Sequence, residues 1–101
     1  MAISLDRAKE IALQLARSIF HSLPEGDRVI LDESFLKEYP NCWLFAYNSQ
    51  KFLDKKDFQD MLLGNSPIAV HKLNGSTKII LVGISTKQRD EYLSKVQDSF
   101  T

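Results

Sequence analysis

A single cysteine, Cys42, leaves no partner for an intrachain disulfide, so nothing calls for an oxidising compartment. No apolar run approaches the ~20 residues needed to cross a bilayer. The first residues also lack the basic stretch followed by an apolar one that marks a secretory signal. These absences point to a cytoplasmic protein. Charge of one sign is missing too, because thirteen Lys and Arg balance thirteen Asp and Glu. A chain without net charge sets up no field to draw in nucleic acid or an anionic membrane, so neither is expected as a partner. Glycine is sparse. Gly26, Gly64, Gly75 and Gly83 each close a separate element, and none has the spacing of a phosphate-binding loop. No cofactor is expected.

What is present suits one globular domain over residues 1–101, 44% apolar and 26% charged. Its centre is the run Cys42 to Ser49. Trp43, Phe45 and Tyr47 alternate with Leu44 and Ala46, the period of two of a strand, and both faces are apolar. A strand covered on both faces belongs inside a sheet.

The remaining elements follow from periodicity and capping. Ser4 caps a helix over 4–22, with Leu5, Ala8, Ile11, Ala12, Leu15 and Ile19 on one stripe, and Pro24 stops it. Val29 to Tyr39 reads as a first strand with a polar middle, hence an edge, folding back through Pro40-Asn41 as a hairpin. Asp54, followed by Asp57, suggests a capped helix over 54–63 with Phe58, Met61 and Leu62 buried and Gly64 ending it. Ile68 to Leu73 and Lys78 to Val82 form a second hairpin around Asn74-Gly75, and the fourth strand, apolar on both faces, is expected to be internal. Gly83 breaks that strand. Ser85 with Gln88 caps a last helix whose buried stripe is Tyr92, Leu93, Val96 and Phe100. The expected architecture is α+β: a four-stranded, mainly antiparallel sheet of two hairpins, packed with an N-terminal helix, a short middle helix and a C-terminal helix.

Chemistry is harder to find. Cys42 with His21 or His71 would make a thiol–imidazole pair, which requires an accessible thiol of lowered pKa. The alternative is a reduced side chain beside a turn. Asp54, Asp57 and Asp60 share one side of the middle helix, but Lys51, Lys55 and Lys56 beside them suit a solvated face better than a metal cage. Trp43, Phe45 and Tyr47 lack the basic neighbours of a base-stacking platform. The residues alone reach a soluble α+β domain that works by contact with another macromolecule.

One resemblance covers nearly the whole chain. Val29 to Glu33, Trp43 to Ser49, Phe52-Leu53, Leu63 to Val70, Asn74-Gly75 and Gly83 to Leu93 follow the order and spacing of the immunity protein 35 family, which includes the YrhB-like proteins. The Trp-x-Phe-x-Tyr strand and the Gly64-Asn65-x-Pro67 turn are the most specific pieces. Two positions depart from the pattern. Cys42 stands where the family usually has Gly, and Ile84 and Ser85 intervene between Gly83 and Thr86. The resemblance implies a protein that binds the toxin domain made beside it and occludes it, without catalysis. Trp43, Phe45, Tyr47, Gly64, Asn65, Pro67, Asn74, Gly75, Gly83 and Tyr92 then read as scaffold. Partner contacts are expected on the parts that vary within the family. On the first strand these are Asp32, Glu33, Glu38 and the aromatic Tyr39; on the following segment they are Asn48, Lys51, Asp54, Asp57 and Asp60. A YrhB-like chaperone role and a Cys42-dependent thiol enzyme are the competing readings, and a homodimer through the polar edge strand is a further expectation.

Overall fold

Three alanines decide how the first helix sits. Ala8, Ala12 and Ala16, one helical turn apart, are fully buried in α1 (Leu5–Ile19). Their small side chains let the helix lie close on Trp43, Phe45, Tyr47, Ile68 and Val70, while Leu5, Ile11 and Leu15 pack at the margins. Ser4 caps α1 as expected, its hydroxyl accepting from the Arg7 N–H at 3.1 Å. The structure, a computed structural model, describes residues 2–56, 61–62, 65–81 and 83–100. The helix ends at Ile19 rather than residue 22, because Phe20 leaves helical geometry and turns its ring onto Tyr47, 5.9 Å between centroids.

The sheet is antiparallel throughout, in the order β1-β2-β3-β4. β2 (Cys42–Ser49) lies inside it and is buried on both faces, as its alternating apolar residues require. Trp43, Phe45 and Tyr47 face α1, and Cys42 and Leu44 face a second core with Tyr39, Ala69, Ile80 and Leu93. Two apolar layers thus share one strand. Cys42 has an ordinary strand conformation, since Lys56 is the one non-glycine with positive φ among the described residues. The Pro40-Asn41 turn reverses the chain instead, with Tyr39 N donating to Cys42 O at 2.8 Å.

β1 (Val29–Glu38) is an edge and contains an irregularity. Leu31 pairs with Tyr47 and Leu36 with Phe45, so residues 32–35 stand against Ala46 alone. Asp32 Oδ1 accepts from both the Ser34 N–H and its hydroxyl, which stabilises the detour. The polar middle of this strand is a bulge as well as an edge.

The middle helix differs from expectation. α2 is Gln50–Lys55, starting where β2 ends, and Asp54 lies in its last turn. Its opening N–H groups are all taken. Gln50 N donates to Arg28 O, Lys51 N to Asp27 Oδ1, and Phe52 N to Ser49 Oγ. Two of those acceptors come from the loop before β1, out of reach of a local capping rule. Lys56, left-handed at φ 57°, closes the helix. The expected residues Asp57, Phe58, Asp60 and Gly64 lie outside the described set.

The second hairpin also departs from expectation. β3 (Ile68–His71) and β4 (Thr77–Ile79) are shorter than read, and β4 is the other edge of the sheet rather than an inner strand. The loop between them turns at Gly75, φ +75°, where a Cβ would stand 2.7 Å from Ile11 Cδ1. The hairpin tip therefore rests on α1, and Asn74 Oδ1 accepts from Ser76 N to hold its shape. α3 (Thr86–Lys95) carries the full capping box between Ser85 and Gln88. Leu93 is fully buried and Val96 and Phe100 pack beside it, but Tyr92 faces outward at 45% exposure, contrary to the expected stripe. The result is the expected α+β fold, with a four-stranded antiparallel sheet and N-terminal, middle and C-terminal helices. The two long helices sit on opposite faces of the sheet.

Candidate partner-binding surfaces

Tyr39 follows β1 directly and points inward. It is 8% exposed, and its hydroxyl donates to Asp90 Oδ1 on α3 at 2.6 Å. Burial, then the neighbouring Asp90 carboxylate, pushes its pKa up to about 12. The same hydrogen bond, aided by Lys37 at 3.4 Å, holds Asp90 below the usual carboxylate range. Tyr39 thus joins the sheet to α3. Asn48 is buried as well, its Oδ1 accepting from Ser49 N at 2.8 Å and Leu62 N at 2.9 Å. Asn65 acts alongside it, donating to Tyr47 O at 2.7 Å. Together they tie the segment before β3 to the end of β2, at Pro67's own entry into the sheet.

The charged candidates lie outside. Glu33 pairs with Lys9 of α1 at 3.2 Å, and Glu38 pairs with Lys72 of the hairpin loop. Asp32 is held in the bulge, Asp54 is exposed on α2, and Lys51 is half-buried there. Exposed pairs of this kind each add little to stability. A groove of about 400 Å³ runs between α1 and β1, lined by Lys9, Glu10, Leu13, Arg17, Arg28, Ile30, Leu31 and Glu33. Of the sequence candidates it gathers only Glu33. All three of its cations are already engaged, Lys9 with Glu33, Arg17 with Val29 O and Arg28 with Gln50 Oε1.

A second surface escaped sequence reasoning. Ile79, Leu81, Ile84 and Tyr92 are 40–71% exposed and line a groove of about 290 Å³ with Lys78 and Ile80. The signal was present as Ile79-Ile80-Leu81, but an apolar run reads as an inner strand until the sheet order is known.

Cys42 does not meet the requirements of a reactive thiol. It is fully buried, its Sγ lies 3.8 Å from Leu93 O, and burial pushes its pKa up to about 11. His71 stands opposite it in the register, yet both ring nitrogens are occupied. Leu73 N donates to Nδ1 at 3.1 Å, so the proton sits on Nε2, which donates to Gln97 O at 3.1 Å. His21 is on the surface beside Ser18 O. Among the described residues no cluster of His, Cys, Asp or Glu could hold a metal ion, and no helix is long and apolar enough to cross a membrane.

The sequence model described as Immunity protein 35 matches residues 10–95. No curated protein and no solved structure matches the chain significantly.

Proposed function

The chain belongs to the immunity protein 35 family, and from that premise we propose that it binds a cognate toxin domain in the cytoplasm of the producing cell and neutralises it by steric occlusion. The observation that carries this reading is the family match over residues 10–95, most of the chain. The fold supports it. Two apolar layers hold β2 rigid between α1 and α3, so the surface is presented with little freedom to lose on binding. The most nucleophilic side chain, Cys42, is buried and protonated at neutral pH, which suits a protein that acts by contact. A stable complex of this kind buries about 1,600 Å² in total. Glu33 and Glu38 are already paired with Lys9 and Lys72, so only the exposed Asp54 of these carboxylates adds charge unpaired among the described residues, and steering from this side is small.

The test is co-expression with the toxin domain encoded beside this chain. Growth is rescued and a stoichiometric complex co-purifies if the proposal holds; loss of both refutes it. One observation favours a second reading, a YrhB-like chaperone role: the exposed apolar side chains around Ile79 and Leu81. That reading requires the protein to suppress aggregation of unrelated unfolded clients, which an immunity protein does not do.

A further inference from the structure

We propose that the partner docks on the outer edge of β4, where an extended segment of the toxin domain adds a fifth strand and places an acidic side chain opposite Lys78. The proposal rests on the immunity reading above and names its contact surface.

The hydrogen-bond alternation of β4 shows which backbone groups are available. His71 N donates to Ser76 O, and Ile80 N donates to Pro67 O. Antiparallel pairing alternates, so Lys78 between them turns its N–H and C=O toward Ala69 on β3. The N–H and C=O of Thr77 and Ile79 therefore point away from the sheet, along an edge that no other strand covers among the described residues. An added strand completes that ladder. Side chains on both faces of the edge provide apolar contact. Ile79 stands opposite Ile68 on the α1 side, and Ile80 belongs to the α3-side core with Ile84 and Tyr92 exposed nearby.

Lys78 selects the occupant. It is the one charged side chain lining this groove, it is exposed, and it has no ion pair among the described residues. A second copy would use all the outward groups by pairing Thr77 with Ile79 of its twin. That register sets Lys78 directly against its own counterpart, with Cα atoms about 4.5 Å apart, where like charges repel. A foreign strand with Asp or Glu at that position, and apolar residues two places to either side on the same face, meets attraction and covers the groove instead.

The experiment titrates the full chain with the toxin domain encoded beside it, by calorimetry and by hydrogen exchange. Lys78→Glu and Leu81→Lys should each weaken binding by about tenfold or more. Leu81 is 71% exposed, so its replacement leaves the fold intact, which circular dichroism checks. Lys55→Glu, the same charge change on the exposed end of α2, should bind as the parent does. The Thr77 and Ile79 amides should slow their exchange about a hundredfold in the complex. If the parent chain binds and both β4 variants match it, the docking surface is wrong while the immunity reading stands. If the parent chain does not bind, the immunity reading itself fails. Unprotected Thr77 and Ile79 amides in a tight complex would rule out strand addition. A dimer of the free chain that Leu81→Lys dissociates would assign the edge to a second copy and overturn the proposal.

Discussion

Gly26 and Gly75 offer a controlled pair. Both are left-handed, at φ +82° and +75°, so alanine suffers the same backbone strain at each, about 1 kcal/mol. Their surroundings differ. A Cβ at Gly26 meets nothing within 4 Å, whereas one at Gly75 meets Ile11 Cδ1 at 2.7 Å and Ile3 Cδ1 at 3.4 Å. Ile11 Cδ1 is the end of a flexible side chain, so relief comes by pushing Ile11 off its rotamer, at about 0.5–1.5 kcal/mol. Gly26→Ala should therefore lower stability by about 1 kcal/mol and Gly75→Ala by about 2 kcal/mol. In a chain of this size the difference is about 4–8 °C in Tm. Urea and thermal unfolding followed by Trp43 fluorescence measure both. Ile11→Val removes the obstructing Cδ1 and sharpens the test. Alone it should cost about 0.5–1.5 kcal/mol, but in the Gly75→Ala background it should cost almost nothing. Equal losses for the two alanine variants, or additive losses in the double variant, would show that the hairpin tip does not rest on α1.

Two other outcomes are expected. Ser49→Ala should destabilise by about 1 kcal/mol through loss of the α2 cap, while Asp54→Ala should stay within about 0.5 kcal/mol; the reverse ranking, by urea unfolding, would restore a cap at Asp54. Stability should also fall at alkaline pH. Cys42, Tyr39 and Tyr47 all have folded pKa values raised by burial above their ordinary values of 9.0, 10.0 and 10.0, so the unfolded chain loses these protons first. Their contribution is complete below about pH 9 and declines as pH rises toward about 11 for Cys42 and about 12 for Tyr39. An unfolding midpoint in urea that does not change between those limits would contradict their burial.

Local signals sufficed for much of the architecture because the relevant forces act within a turn or a strand. The stripe of α1, apart from Ile19, which is 40% exposed, the capping box at Ser85 and the alternation of Trp43, Phe45 and Tyr47 depend on residues one to four apart, and each appears in the structure. Tertiary structure decided whatever depended on distant neighbours. Asp27 and Arg28 reach across to the first turn of α2 and move its start to Gln50. Asp90 and the α3-side core turn Tyr39 inward, and the bulge held by Asp32 makes room for the register change of β1. The same limit applies to β4. Ile79-Ile80-Leu81 has the composition of an inner strand, but only sheet order reveals that one side has no neighbouring strand among the described residues. Composition records how apolar a segment is; the packing of the other strands determines whether that surface is buried or left for a partner.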